Sequence, residues 1–154
     1  GEIDLNDFQA AIQEDTKLIS LMHVNNETGL VLPIAEVLEV AKAKGILVHV
    51  DASQSLGKLP FPLGADLVSF SAHKIYGPKG IGVLLAKSHV KLTSQIHGGK
   101  QQRNRRSGTL NVPGIAGVFK AIELLNQEEN VRLENIRNRF EAILTEALPD
   151  LVIN

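Results

Sequence analysis

The stretch Ser69-Phe70-Ser71-Ala72-His73-Lys74-Ile75-Tyr76-Gly77-Pro78-Lys79-Gly80-Ile81-Gly82 joins two apolar runs, Ala65 to Phe70 and Ile81 to Ala86. The first run reads as a buried strand that ends in a small, polar Ser-Ala-His-Lys. A Tyr-Gly-Pro-Lys-Gly turn follows, and the second run reads as another strand. Lys74, at the end of a buried strand with a histidine before it and glycines after it, has two readings. One is a surface lysine in a loop. The other is an amine held in a dry pocket, where desolvation lowers its pKa and makes it a nucleophile toward an aldehyde. The rest of the chain decides between them.

Upstream, Thr16 to Val24 is a compact apolar run with β-branched residues, read as a strand, and Asn25-Asn26-Glu27-Thr28-Gly29 is a polar turn. Pro33 then stands where a first helical residue should, Ile34, Val37, Leu38 and Ala41 share one face, and Gly45 stops the helix. Ile46 to Val50 is a further strand terminated by Asp51. Strand, helix, strand predicts parallel neighbours with a right-handed crossover. With Asp66 to Ser71 and Gly82 to Ala86 added, the expectation is an α/β fold: a mostly parallel sheet of about four strands with helices on both faces. A short amphipathic helix through Leu5, Phe8, Ala11 and Ile12, capped by Asp4 or Asn6 and ending near Glu14, comes before the first strand.

Downstream the pattern changes. Residues 97–109 show no periodicity and carry four positive charges, Lys100, Arg103, Arg105 and Arg106. A helix begins at Pro113-Gly114 and presents Ile115, Val118, Phe119, Ile122 and Leu125; another presents Leu133, Ile136, Phe140, Ile143, Leu144 and Leu148 and stops at Pro149. Leu151 to Ile153 reads as the first residues of a strand. A chain that opens on a helix and closes on an interrupted strand reads as a fragment of a longer protein. Its sheet is then expected to leave an apolar edge or face that drives dimerisation or intertwining.

The 154 residues, 44% of them hydrophobic, suffice for one sizeable core. Sixteen basic and seventeen acidic residues give a net charge of -1, so no global field recruits nucleic acid or a membrane surface. The basic loop lacks interleaved aromatics, which also argues against a nucleic-acid site. No apolar run is long enough to span a bilayer and no signal-like N-terminus is seen. The absence of cysteine excludes disulfides, thiolate metal sites and a cysteine nucleophile within this chain, and is compatible with a cytoplasmic protein.

In open α/β sheets, ligands lie beyond the carboxyl ends of parallel strands. Three such ends carry polar groups here: Asn25-Asn26, Asp51 through Gln54, and Ser71-His73-Lys74. Each alone is the usual dress of a turn or a helix cap. Together they supply a carboxylate, amides, a hydroxyl, an imidazole and an amine, an inventory that suits pyridoxal 5'-phosphate.

The segments HVNNETG (23–29), HVDASQSLGKLP (49–60), SFSAHKIYGPKGIGVL (69–84) and HGGKQQRNRRSGTLNVPGIAG (97–117) resemble the cysteine desulfurases of the nitrogen-fixation and iron–sulfur-assembly type. These are class V aminotransferases of the fold-type I pyridoxal phosphate group, and the likeness runs along the whole chain. The resemblance implies catalytic roles for Lys74, the Schiff-base lysine, and for its neighbour His73. It places Asp51 on the pyridine nitrogen, Asn26 and Gln54 near the phenolic oxygen, and Ser71 and His73 on the phosphate. Thr109 would reach the phosphate of a neighbouring subunit's cofactor, so a homodimer is expected. Residues 1–112 would be part of the cofactor-binding large domain, and 113–154 connecting helices and the start of a small α+β C-terminal domain.

The implied activity turns L-cysteine into L-alanine and leaves the sulfur as an enzyme persulfide for an iron–sulfur scaffold or another acceptor. The resemblance implies no metal, nucleic acid or membrane. The family's ring-stacking histidine, its second phosphate turn, its persulfide cysteine and its carboxylate-binding arginine have no counterparts in this chain. The chain alone is therefore expected to bind the cofactor weakly and not to desulfurate cysteine. The alternatives are a piece of a selenocysteine lyase or another class V aminotransferase, or a non-catalytic folding unit.

Overall fold

The computed structural model describes residues 3–153. Its sheet has four strands in the order β1 (Leu18–Met22), β2 (Leu47–Asp51), β3 (Leu67–Ser71) and β4 (Gly82–Ala86). β1 and β2 pair in parallel, as do β2 and β3, whereas β4 returns antiparallel to β3. Connection length explains the difference: helix α2 (Ile34–Ala43) lies between β1 and β2 as a crossover, while only residues 72–81 join β3 to β4.

Helix α1 (Leu5–Ala11) is capped by Asp4, whose carboxylate accepts the Asn6 and Asp7 N–H groups at 2.7 and 3.1 Å. Pro33, expected as the first helical residue, sits instead at the cap position of α2, so the helix begins one residue later at Ile34. Gly45, at φ 67°, turns the chain out of α2, and Ile46 N–H closes the turn on Ala41 O at 2.9 Å.

The strands alternate. Val48, Val50, Val68 and Phe70 face one side and are buried, with Ile19 and Leu21 packed beside the first three. Ile34 and Ala41 of α2 complete that cluster, and Val118 of α4 (Val112–Glu123) packs on Phe70 and Ala72. Burying each such aliphatic side chain contributes roughly 1.5–3 kcal/mol. The other side of the sheet presents Leu18, Ser20 and Met22 of β1, Leu47, His49 and Asp51 of β2, Leu67, Ser69 and Ser71 of β3, and Leu84 of β4, with Leu67 buried.

Helices were expected on both faces, but α2 and α4 both pack on the Val48–Phe70 face. The opposite face stays open, with Leu18 49% and Leu84 52% exposed. The reason is in the strands themselves: β2 and β3 alternate apolar with polar residues, the pattern of a sheet with one buried face, rather than running apolar throughout.

Residues 97–109 include a single short helical turn, α3 (Gln101–Asn104), in which Gln102 and Arg103 adopt left-handed φ values of 51° and 56°. Helix α5 (Gln127–Ala147) has no buried residue and exposes Leu133, Ile136, Phe140 and Ile143. Leu151 to Ile153, expected to begin a strand, are irregular, since no neighbouring strand is present to accept a ladder. Among the described residues no helix is long and apolar enough to cross a membrane.

Candidate active site

The strand ends are laced together by short bonds. Asp51, the last residue of β2, accepts Ser53 N–H on Oδ1 at 2.8 Å. The Ser53 hydroxyl in turn accepts the N–H of Ser71, the last residue of β3, at 3.2 Å. Ala52 N–H donates to Ser69 O at 2.8 Å, and His23 N–H donates to Asp51 O at 2.8 Å, which draws in the end of β1. Asp51 and Ser71 thus stand at adjoining ends, as the sequence suggested. Ser53, which the sequence did not single out, is the residue that ties them.

Beyond β1, Asn25 does ordinary turn work, its side chain accepting the Glu27 and Thr28 N–H groups at 2.9 and 3.0 Å. Asn26 is left exposed, and Gln54 is half-buried in the turn after Asp51.

After Ser71 the chain makes a 3-10 turn, Ala72–Ile75. Its threefold repeat puts Ala72 and Ile75 inward, both buried, and His73 and Lys74 outward. Tyr76 then takes a left-handed φ of 65°, and Gly77 N–H closes the turn on Ala72 O at 2.9 Å. A Cβ on Gly77 would lie 2.9 Å from that same oxygen, so glycine is required for the closure. Helix α4 comes close as well: a Cβ on Gly117 would lie 2.8 Å from the Pro78 ring. Packing on both sides therefore fixes where Lys74 emerges.

Lys74 itself is exposed, so within this chain it takes the first of its two readings, a surface lysine. Among the described residues the turn supports it from below and nothing covers it from above. A cavity of about 400 Å³ does adjoin the turn, lined among others by Leu56, Lys74, Tyr76, Pro78, Ala121 and Leu125. Its walls are mostly apolar, and Asn26, Asp51, Gln54, Ser71 and Thr109 are not among them. It is the gap between the Lys74 turn and helices α4 and α5, separate from the polar crevice at the strand ends.

Thr109 is exposed, between Gly108, whose N–H donates to Gln101 Oε1 at 3.0 Å, and Asn111, which caps α4 by accepting Gly114 N–H at 3.0 Å. No bond among the described residues joins Thr109 to the strand ends. Ser107, beside it, is buried and donates its hydroxyl to Gly99 O.

Two histidines on or beside the sheet were not placed in the site by the sequence. His49 on β2 has Ser20 Oγ 2.8 Å from Nδ1 and Ser69 Oγ 2.9 Å from Nε2. The signal was available, since His49 and Ser69 recur at period two with Asp51 and Ser71. His23 is buried, and its Nδ1 has no hydrogen-bond partner among the described residues. Burial holds its pKa below the ordinary histidine value.

The donor set fits pyridoxal phosphate. The Asp51 carboxylate spends one oxygen on Ser53. Among the described residues, the lysines engaged by hydrogen bonds or ion pairs are Lys87 and Lys120, and no such bond engages the Lys74 amine. The profile of the aminotransferase class-V family matches residues 1–152. The chain belongs to that family.

Among class-V relatives, proteins named cysteine desulfurase IscS from Salmonella paratyphi C and Salmonella newport are each 50% identical to the chain over 148 residues. The match covers 91% of this chain and 37% of each relative, so the chain spans well under half the length of these class-V proteins. Among solved structures, a NifS-like protein superposes with a TM-score of 0.84 at 40% identity, covering 96% of this chain and 42% of that one. The structure titled SspA in complex with cysteine gives 0.78 at 38% identity, covering 89% and 42%. The fold is therefore that of the class-V, NifS-like proteins.

Proposed function

We propose that the whole protein carrying this chain is a pyridoxal phosphate-dependent cysteine desulfurase. It converts L-cysteine to L-alanine and hands the sulfur, by way of a persulfide, to an iron–sulfur scaffold or another acceptor. The observation that carries this reading is the 50% identity to proteins named cysteine desulfurase, over a segment in which Asp51, Ser71 and Lys74 sit at neighbouring strand ends. A structural neighbour titled SspA in complex with cysteine supports the substrate.

When bound, the cofactor supplies an electron sink that draws charge away from the substrate's α-carbon. The chain's own residues do the rest. Asp51 would hold the ring nitrogen protonated. Lys74 would hold the cofactor through its Nζ amine, and the same amine would serve as the acid–base group for the proton at the substrate's α-carbon. Asn26 and Gln54 would donate toward the phenolic oxygen, and Ser71 and His73 toward the phosphate, with a catalytic role for His73 as the neighbour of Lys74. Thr109, which makes no hydrogen bond to the strand ends of its own subunit among the described residues, would serve the phosphate of a second copy, so the working form is a homodimer. Residues 1–112 belong to the cofactor-binding domain and 113–154 lead into a smaller one, in a cytoplasmic enzyme. The chain has no cysteine, so the thiol that receives sulfur lies in another part of the whole protein.

The test is alanine release from L-cysteine by the full-length protein. Lys74→Ala should lower the rate by at least about a hundredfold, the scale of losing a positioned acid–base group. Undiminished turnover in that variant, or turnover of L-selenocysteine alone, would overturn the reading.

A further inference from the structure

The β2–β3 ladder ends on a rung that no main-chain carbonyl supplies. Ala52 N–H donates to Ser69 O at 2.8 Å, and in a parallel ladder the carbonyl of that same residue would accept the next N–H along β3, that of Ser71. The Ala52 carbonyl is engaged elsewhere. It takes Ser55 N–H at 3.1 Å, Leu56 N–H at 2.9 Å and the buried Ser55 hydroxyl at 3.4 Å, which close the turn that leads the chain away from the sheet. Ser71 N–H donates instead to Ser53 Oγ, at 3.2 Å. A side-chain hydroxyl thus stands in for the missing backbone acceptor.

The Lys74 turn hangs from that rung. Ser71 is extended, at φ -105° and ψ 129°, and is the cap residue of the 3-10 turn Ala72–Ile75, to which its own side chain makes no capping bond. The next N–H, that of Ala72, donates to Ile81 O at 3.2 Å. Two successive N–H groups therefore hold the stem of the turn, one from the β2 side and one from the β4 side. Ser53 also holds Asp51, since its main-chain N–H donates to Oδ1 at 2.8 Å. One half-buried residue joins the carboxylate at the end of β2 to the stem that carries Lys74. Its two bonds make different demands. Any residue except proline keeps the N–H, whereas the rung needs an acceptor on the side chain.

Resting on the reading that Asp51 and Lys74 serve one cofactor, we infer that Ser53 is a positioning residue for Lys74. Its hydroxyl replaces the withdrawn Ala52 carbonyl, holds the stem of the turn at Ser71, and so sets where the amine leaves the sheet relative to the Asp51 carboxylate. A rigid ring met by Asp51 at its nitrogen and held by Lys74 at another point tolerates little change in the separation of the two. Each bond that sets this separation beforehand lowers the ordering cost of binding. Without the rung, the stem would be fixed from the β4 side alone, and the lysine would sample more positions. Ser53 acts through Ser71 and Asp51, not on the reacting atoms.

The experiment uses full-length protein as wild type, Ser53→Ala and Ser53→Thr, first freed of cofactor. Hydrogen exchange followed by NMR reads the Ser71 amide. In Ser53→Ala that amide should exchange roughly fivefold faster than in wild type, the scale of one hydrogen bond, while the other amides of β3 keep their rates. Ser53→Thr, which keeps the hydroxyl, should keep the protection. Pyridoxal phosphate is then added and fixed with borohydride, and the adduct on Lys74 is quantified. The concentration for half-maximal trapping should rise roughly fivefold in Ser53→Ala and match wild type in Ser53→Thr. A residue that merely stabilised the fold would speed exchange throughout β3 and leave trapping unmoved while all three proteins are folded. Either result would overturn the inference, as would an unchanged Ser71 amide in Ser53→Ala or a Ser53→Thr protein that behaves like Ser53→Ala. Wild-type protein that forms no adduct on Lys74 would overturn the functional reading and the positioning role with it, and the rung would stand on the exchange data alone.

Discussion

Asp66 and Val48 are bonded twice: Asp66 N–H donates to Val48 O at 2.9 Å, and Val48 N–H donates back to the Asp66 carboxylate at 2.9 Å. The side chain takes the place of a backbone acceptor and extends the β2–β3 ladder by one step. Its other oxygen lies 3.0 Å from His89 Nε2 and 3.6 Å from Lys87 Nζ, so β4's outgoing chain is gathered in as well. This clasp sits at the opposite end of β3 from Lys74.

Asp66→Ala should therefore destabilise the chain by about 1–3 kcal/mol, the cost of a buried N–H left without a partner, since Val48 is 1% exposed. Asp66→Asn, which keeps an acceptor oxygen for Val48, should cost less. Denaturant unfolding measures both. A loss below about 0.5 kcal/mol for Asp66→Ala, the usual range of surface changes, would show that water replaces the carboxylate.

His23 makes stability depend on pH. Burial lowers its folded-state pKa below the unfolded value of about 6.5. The stability of the neutral, buried ring is thus fully present above that value and is lost as pH falls from there through the lowered folded value. Urea midpoints should drop between about pH 7 and pH 5 in the wild type and drop less in His23→Leu. Equal slopes in the two proteins would place the acid sensitivity elsewhere.

Gly77 governs the geometry under Lys74. An added Cβ would meet Ala72 O at 2.9 Å and Ala72 Cβ at 3.1 Å, both parts of the buried base of the turn. Gly77→Ala should cost about 1–3 kcal/mol, the range for overpacking. In the full-length protein it should also reduce the cofactor trapped on Lys74. Wild-type stability together with wild-type trapping would mean that the turn relaxes without moving the lysine.

Much of this was legible in the residues. The β1–α2–β2 unit followed from two apolar runs separated by a Pro-led helix and a stopping glycine, and Gly82–Ala86 came out with its bounds unchanged. The open face was less visible, because Leu47-Val48-His49-Val50-Asp51 reads as apolar until its period-two polar positions are set beside those of β3. Burial on one side only, not overall hydropathy, separates the two readings. The adjoining of Asp51 and Ser71 at neighbouring strand ends was anticipated. Its fastening by Ser53 was not, because a serine in a turn carries no pattern that distinguishes a bridge between strands from a local cap. The exposure of Lys74 was one of two readings that the sequence left open: a lysine's solvation is set by whatever packs over it, and local sequence records only what lies beneath.

The central claim is that Lys74 is the lysine that holds the cofactor. Full-length protein is saturated with pyridoxal phosphate, reduced with borohydride, digested, and mapped by mass spectrometry. The account predicts a single phosphopyridoxyl adduct on Lys74, absent from Lys74→Ala, whose stability should stay within about 0.5 kcal/mol of wild type because the side chain is exposed. An adduct on Lys58 or Lys79, or saturation with no adduct on any lysine of this chain, would contradict it.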